Sequence, residues 1–105
     1  MAQFDVYRNT DASTNEVYPL FVDVQNELLS SLKTRVVIPL VLFAHQDSRI
    51  PINLCPRVEI DGQVYIVLTQ LISTVTLDSL EQYECSVIDY RDEIVAAMDC
   101  LITGV

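Results

Sequence analysis

The amino-acid sequence of 105 residues predicts a mainly β domain that ends in one α-helix. Over most of the first two thirds of the chain, apolar residues alternate with polar ones, which is the period of a half-buried strand. From Val87 onward the apolar residues lie three or four positions apart, which is the period of an amphipathic helix. This order predicts about five or six short antiparallel strands in a barrel or a strongly bent sheet, followed by the helix. The length predicts a single domain over residues 1–105.

Two strands are predicted near the N-terminus. Residues 3–8 alternate so that Phe4 and Val6 face one way and Tyr7 faces the other. The polar stretch that follows suits a loop between two strands. Residues 18–24 resume the alternation, and the side chains predicted to face the core are Leu20, Val22 and Val24.

The middle of the chain predicts a turn, an interrupted strand and a hairpin. Residues 25–33 lose the alternation, which indicates a turn or a short helical piece. Residues 35–43 form a strongly apolar strand, and Pro39 within it lacks an N–H, which predicts a bulge or an edge position. The Asp-Gly pair at 61–62 lies between two β-rich segments and is the strongest hairpin signal in the chain. A further short strand is predicted over residues 72–77.

The C-terminal helix carries its own start and stop signals. Ser86 or Asp89 is predicted to cap its N-terminus. Asp92 and Glu93 then lie near the positive end of the helix dipole, and Gly104 ends the helix. The apolar stripe predicted to face the sheet is Val87, Tyr90, Ile94, Ala97, Met98 and Leu101.

The charge balance argues against nucleic acid as a direct partner, although it leaves open a local basic patch formed by folding. Six lysine and arginine residues stand against fifteen aspartate and glutamate residues, for a formal net charge of −9. Affinity for nucleic acid comes mostly from cationic side chains that displace counterions from the phosphates, and this chain has few of them. A basic protein partner fits the negative charge better, because complementary charge steers encounter. The charge alone equally allows a simpler role, in which it only keeps a small hydrophobic protein in solution.

Few residues of the sequence are suited to catalysis. His45 is the one histidine, and the three cysteines, Cys55, Cys85 and Cys100, are widely spaced with no CxxC pair. This is neither a zinc pattern nor a disulfide framework, so buried reduced thiols are expected. The carboxylates fall singly on alternating strand positions or on the helix, as solvated groups do. We therefore expect a protein that is not an enzyme and holds neither metal nor cofactor.

The sequence also bears on where the protein acts. The N-terminus has no basic segment followed by an apolar run, so no signal peptide is expected. No segment approaches the roughly eighteen consecutive apolar residues of a membrane-spanning helix. The expectation is a cytoplasmic protein without a membrane partner.

Several segments, taken in order, form a specific set. They are Gln3-Phe-Asp-Val-Tyr7, Leu20-Phe-Val-Asp-Val-Gln25, Leu28-Leu29, Arg35-Val-Val-Ile-Pro-Leu40, Leu54-Cys-Pro-Arg-Val-Glu-Ile60 and a C-terminal helix closing on glycine and an aliphatic residue. Together these segments resemble the CcdB family of plasmid and chromosomal toxins. The resemblance covers essentially the whole chain. It implies an SH3-like antiparallel β-barrel with one C-terminal α-helix, assembled as a homodimer.

The resemblance also implies a function and partners. The function is that of a toxin of a type II toxin–antitoxin system, which binds the A subunit of DNA gyrase and traps the gyrase–DNA cleavage complex. A CcdA-like antitoxin would neutralise it through a segment that gains order on binding. Operator DNA would be bound only through the toxin–antitoxin complex.

Three sets of residues follow from the resemblance. In the family's best-known pattern an asparagine stands at the position of Asp99 and a tryptophan at the position of Thr103. The gyrase-binding set is Leu28, Leu29, Asp99, Thr103, Gly104 and Val105. The antitoxin-binding set is Arg8, Asn9, Thr10 and Phe43, and the dimer-interface set is Met98, Ile102 and Val105.

Two other functions remain open at the level of sequence. MazF-like toxins share this barrel and are endoribonucleases, and a fold alone does not decide function. The two departures at Asp99 and Thr103 also leave open a degenerate toxin that binds only its antitoxin, because a tryptophan is a typical binding anchor.

Overall fold

The computed structural model describes residues 2–29, 31–45 and 49–104. Within these ranges the chain forms seven strands and one α-helix, which confirms the predicted mainly β fold with a C-terminal helix. The strands are β1 (Asp5–Arg8), β2 (Leu20–Asp23), β3 (Thr34–Leu42), β4 (Arg57–Ile60), β5 (Gln63–Val67), β6 (Ser73–Thr76) and β7 (Tyr83–Ser86), and the helix is α1 (Arg91–Thr103). Short 3₁₀ turns cover Glu27–Leu29, Phe43–His45, Thr69–Leu71, Leu77–Leu80 and Ile88–Tyr90.

All strand pairs of the sheet are antiparallel. The strand order is β4-β5-β3-β2-β1-β7, with β6 paired to β3 beside this path. The sheet curls into a half-barrel in which β3 is central: β2 pairs along one of its edges, and β6 and β5 pair in turn along the other. At the two ends of the strand order, β4 pairs with β5 and β7 pairs with β1.

Pro39 does not mark an edge or a bulge, so that prediction was wrong. It faces Phe21 in an uninterrupted register between β2 and β3. Its carbonyl accepts a hydrogen bond from the N–H of Leu68 at 3.0 Å. On this edge of β3, β6 pairs with the residues up to Val37 and β5 pairs with the residues from Leu40 onward. Since the N and O of a strand residue point to the same edge, the missing N–H falls where the partner strand changes, and no ladder bond is lost there.

The hairpin at residues 61–62 is confirmed. Asp61 has a φ of 52° and Gly62 a φ of 78°, so both central residues lie in the left-handed region that a type I′ turn requires. The turn joins β4 to β5, with Ile60 opposite Gln63.

The larger core lies between the concave face of the sheet and α1. The predicted inward residues of β2, together with Val24, are buried there, and Ile94 of α1 is fully buried against them. Phe4 is also buried, but its φ of 71° ends the extended backbone, so the first strand begins at Asp5 and not at residue 3. The buried members of this core are Phe4, Val6, Leu20, Val22, Val24, Ile38, Leu40, Val58, Ile60, Val67, Val87 and Ile94.

The opposite face of the sheet is also covered. Tyr7, predicted to face away from the core, is only 4% exposed and packs in a second cluster with Val37 and Leu80. Its ring meets that of Tyr83 edge to face, with centroids 5.9 Å apart. The alternation therefore identified two faces correctly but did not show that both are buried at this position.

The helix starts later than predicted, and neither expected residue caps it. Residues 83–86 form β7, so Ser86 is a strand residue whose hydroxyl accepts a hydrogen bond from the N–H of Ile88 at 3.3 Å. The turn Ile88–Tyr90 follows, and α1 begins at Arg91 with no side-chain cap. Gly104 ends the helix in the left-handed conformation, with a φ of 75°, as predicted.

Candidate protein-binding surfaces

The tip of α1 presents apolar side chains to solvent. Ile102 is 76% exposed and Leu101 is 36% exposed. Asp99, which precedes them in the same helix, is also exposed. Met98, predicted at a dimer interface, is partly buried against the larger core. The last two turns thus divide into a side that holds the helix on the sheet and a side available to a partner.

Local hydrogen bonds fix the end of this helix. The Thr103 hydroxyl donates to the carbonyl oxygen of Asp99 at 2.7 Å, and the N–H of Gly104 donates to the carbonyl oxygen of Cys100 at 3.1 Å. Thr103 therefore uses its hydroxyl hydrogen within the helix, although the residue itself is exposed. Val105, assigned to both the gyrase-binding and the dimer-interface sets, lies outside the described residues.

A second exposed apolar pair lies in the turn between β2 and β3. Leu28 is 88% exposed and Leu29 is 50% exposed. The Asn26 side chain accepts a hydrogen bond from the N–H of Leu28 at 2.8 Å, and the Gln25 side-chain amide donates to the carbonyl of Leu29 at 3.0 Å. The two leucines are held outward by these bonds, on a different element from the tip of α1.

Beneath this turn lies a buried ion pair that the sequence did not reveal. The Arg35 guanidinium reaches the Asp23 carboxylate at 2.7 Å, and their side chains are 2% and 0% exposed. Burial raises the pKa of the Asp23 carboxyl, and the hydrogen bond from Arg35 opposes that shift. Gln25 links the pair to the turn: its N–H donates to Asp23 at 3.0 Å, and its side-chain oxygen accepts from the N–H of Val36 at 3.1 Å.

The signal for this pair was present but ambiguous. Asp23 stands between the inward residues Val22 and Val24, so the alternation placed it on the outer face, where a carboxylate is ordinarily solvated. It is buried because the second cluster covers that face.

The antitoxin-binding set divides between two places. Arg8, Asn9 and Thr10 line a cleft of about 510 Å³ between the end of β1 and the hairpin of β4 and β5. The Arg8 guanidinium pairs with Glu84 of β7 at 2.8 Å on the wall of this cleft. Phe43 lies elsewhere, with the Arg57 guanidinium stacked 5.4 Å from its ring centre.

Asn9 acts within the protein. It is 7% exposed, and its side-chain amide donates to the Thr14 hydroxyl at 2.9 Å and to the Tyr18 carbonyl at 2.8 Å. Its side-chain oxygen accepts from the N–H of Asp11 at 3.0 Å. Asn9 therefore shapes the polar loop, while Arg8 and Thr10 are the exposed members of the set.

Arg57, which stacks on Phe43, lines a second cleft, of about 500 Å³, between residues 52–57 and α1. Arg57 donates to the carbonyls of Cys55 at 2.5 Å and Ile50 at 3.0 Å, so two main-chain groups hold its side chain in place. Tyr90 and Cys100 lie on the helix side of this cleft.

Two cysteine thiols and one tyrosine phenol ionise less readily than their ordinary counterparts, because burial raises the pKa of each. All three cysteines are free, but Cys55 alone is fully buried, which corrects the expectation of three buried thiols. Burial raises the pKa of the Cys55 and Cys85 thiols and so lowers their thiolate fraction at neutral pH. Burial likewise raises the pKa of Tyr7 to about 12. Within residues 2–29, 31–45 and 49–104, no three histidine, cysteine or acidic side chains come together as a metal site.

Fold and surfaces together define a small, mainly β protein whose exposed features suit binding to other proteins. The family model described as CcdB protein matches residues 3–104, and the chain belongs to the CcdB family. It is accordingly a toxin of a toxin–antitoxin system. Among curated proteins, no match was found.

The α1 helix has thirteen residues, fewer than a bilayer crossing requires. In the described part of the chain, no helix is both long enough and apolar enough to cross a membrane.

Proposed function

We propose that this toxin binds the A subunit of DNA gyrase, traps the gyrase–DNA cleavage complex, and is neutralised by a CcdA-like antitoxin. The observation that carries the proposal is the exposed tip of α1, where Ile102 is 76% exposed beside Asp99. A large aliphatic side chain so exposed at the end of an ordered helix is a typical binding anchor. The mode of action is binding, without catalysis by the toxin.

The exposed turn at Leu28 and Leu29 supplies a second contact for the same kind of partner. Both surfaces combine aliphatic side chains with a locally fixed backbone, which lowers the entropy that binding must offset. Asp99 adds a negative charge to the helix surface, which suits an arginine or lysine on gyrase.

A pair of matched variants tests the gyrase contact. Ile102→Lys places a charge at the helix tip, whereas Ile88→Lys makes the same change at another exposed isoleucine, 51% exposed, in the turn before α1. We expect wild type and Ile88→Lys to bind the gyrase dimerisation region in calorimetry and to yield linear DNA in a gyrase cleavage assay. Ile102→Lys should bind about tenfold or more weakly, the loss of one anchor residue. Because Ile102 also belongs to the dimer-interface set, sedimentation equilibrium must show the same oligomeric state for this variant as for wild type. Equal loss in both variants, or no binding by wild type, would contradict the proposal.

Homodimerisation belongs to the same proposal. A two-fold axis near Leu101 and Ile102 would bring two helix tips together and form one partner site from two chains. Sedimentation equilibrium on the intact protein should give twice the chain mass. A monomer at micromolar concentration would remove this part of the proposal and leave the gyrase contact to be tested separately.

A toxin that binds only its antitoxin is the second candidate, and one observation favours it. Thr103 stands where the family's best-known pattern has a tryptophan, and its hydroxyl donates within the helix, so this position offers a partner a small side chain in place of a large aromatic ring. Tight antitoxin binding with no gyrase complex in the same calorimetry would establish this alternative.

A further inference from the structure

The half-barrel is open along one side, and a continuous trough follows the opening. The strands at the two ends of the order, β4 and β7, pair on one side each, with β5 and β1 respectively. A cleft of about 460 Å³ is lined by residues of β4 and its turn and by residues of β7. The cleft that holds Arg8 continues from it, and the two share Ile60 and Asp61 in their walls. We call this continuous opening the seam.

The edges that border the seam differ. On β4, the N–H of Glu59 already donates to the Tyr90 hydroxyl at 3.2 Å, so this edge is partly occupied. The residues that flank β7 bond towards β1: the N–H of Val87 donates to the Phe4 carbonyl, and the Gln82 carbonyl accepts from the N–H of Arg8. The main chain of β7 on its other side faces the seam, and an exposed strand edge of this kind accepts an added strand.

The seam carries a strong negative bias. Among the residues that the structure describes, four carboxylates line it, from Glu59, Asp61, Glu84 and Asp89, and Arg8 is the one lining cation. Arg8 is paired with Glu84. Within the described ranges, no cation pairs with the carboxylates of the other three acids. The occupant that complements this surface is positively charged.

We propose that the neutralising segment of the antitoxin enters the seam as an extended strand that carries lysine or arginine. It pairs with the free edge of β7 and places its cations against Glu59 and Asp61. The inference rests on the proposed antitoxin partnership for the identity of the partner, but it specifies a position, a conformation and a charge that the partnership alone does not. At about 3.3 Å per residue, a segment of about four residues matches the length of β7, Tyr83–Ser86.

Two peptides of opposite charge provide the probe. The first is an acetylated hexapeptide of alternating valine and lysine with a fluorescent label, and the second has glutamate in place of each lysine. By fluorescence anisotropy at low salt, the lysine peptide should bind the full chain, and the glutamate peptide should bind at least about tenfold more weakly. Equal binding of the two peptides, or no binding of the lysine peptide, would overturn the proposal.

A third peptide separates strand addition from simple charge attraction. It keeps the lysine sequence but carries N-methyl groups on alternate peptide bonds, along one edge only. Of the two possible phases of methylation, one removes the donors that would pair with β7 and leaves the charge intact. We expect one phase to bind about tenfold more weakly than the other, because strand addition depends on main-chain hydrogen bonds. If both phases bind as well as the unmodified peptide, the extended pairing is wrong.

Protein variants then locate the site. Glu59→Gln with Asp61→Asn removes two charges from the seam, and asparagine tolerates the left-handed backbone at position 61. Glu16→Gln with Asp78→Asn removes two exposed charges elsewhere and serves as the matched control. We expect the first variant to bind the lysine peptide about fivefold more weakly and the control to stay within about twofold of wild type. Equal effects of the two variants would place the peptide outside the seam.

The seam and the proposed function fail in different ways. Toxicity that the cognate antitoxin does not suppress would contradict the antitoxin partnership, and the peptide titrations would be unchanged by that result. Conversely, an antitoxin that neutralises the Glu59→Gln, Asp61→Asn variant as well as it neutralises wild type would overturn the seam as its site and leave the toxin function standing. Circular dichroism and thermal unfolding of each variant confirm that the fold is retained.

Discussion

The two exposed aliphatic surfaces of this protein are supported in opposite ways. The Leu28–Leu29 turn stands over a buried polar network, in which Asp23 and Arg35 form an ion pair and Gln25 reaches the turn. The tip of α1 is the end of a helix whose inner residues, such as Ile94, are fully buried in an apolar core. One surface therefore depends on directional hydrogen bonds and the other on shape and burial. Four changes to the protein or its pH separate these two kinds of support.

The largest effect is expected from breaking the polar support. Arg35→Met leaves the Asp23 carboxylate buried without its cation, which should lower the free energy of unfolding by about 3–5 kcal/mol. Urea denaturation measures this change. The double variant Asp23→Leu, Arg35→Met should be more stable than the single one, because no uncompensated charge remains. If the double variant is less stable than Arg35→Met, an uncompensated Asp23 charge is not the cause of the instability.

The apolar support should fail by a somewhat smaller amount. Ile94→Ala creates a cavity under α1 and should cost about 2–5 kcal/mol. Val95→Ala, at a partly buried neighbour, is the matched control and should cost clearly less. Hydrogen exchange should then show faster opening of the last turns of α1 with little change in the Leu28–Leu29 turn. Equal loosening of both surfaces would show that they form one cooperative unit.

Alkaline pH tests the second cluster, which covers the ion pair. Burial raises the pKa of Tyr7 to about 12 from its ordinary value of 10.0. In that window the unfolded chain releases the phenolic proton and the folded chain keeps it, so stability should fall as the pH rises from 10 towards 12. Tyr7→Phe should remove this part of the pH dependence. An unchanged slope between pH 10 and 12 in that variant would assign the loss to other groups.

The smallest effect on stability is expected at the exposed side chains themselves. Leu28→Ser and Ile102→Ser should each change the free energy of unfolding by no more than about 0.5 kcal/mol, because both residues are largely exposed. Thermal unfolding checks this directly. Both variants should nevertheless weaken the proposed gyrase contact. A loss of stability comparable to that of Ile94→Ala would mean that the exposed residue is part of the core in the assembled protein.

Local signals in the sequence were enough for most of the fold. The turn at 61–62 has a left-handed backbone at both positions, and Asp-Gly is a residue pair that favours such a turn. The inward set of β2 and the end of α1 at Gly104 were predicted for similar local reasons. By contrast, β7 was missed, because its four residues, Tyr83–Ser86, mix polar and apolar types and become a strand through pairing with β1.

The candidate sites also divide into residues that the sequence identified and residues whose role became clear only in the structure. The family resemblance named Leu28, Leu29 and the tip of α1 from the sequence. Those of these residues that the structure describes are exposed, Leu28 and Ile102 most of all. Asn9 was named as a binding residue, yet its side chain is engaged inside the protein. The buried pair of Asp23 and Arg35 was missed, since no local pattern tells a solvated carboxylate from one covered by a distant cluster.

The sequence by itself determined the mainly β class with a C-terminal helix, the main turn, the acidity and the family, since each follows from periodicity, residue type or a motif read along the chain. Tertiary structure alone decided that Pro39 is central, that Tyr7 and Asp23 are buried, and that β4 and β7 border an open seam. The physical reason is that burial and pairing depend on residues far apart in sequence. Asp23 meets Arg35 across a turn, and Glu84 meets Arg8 only once the chain has folded.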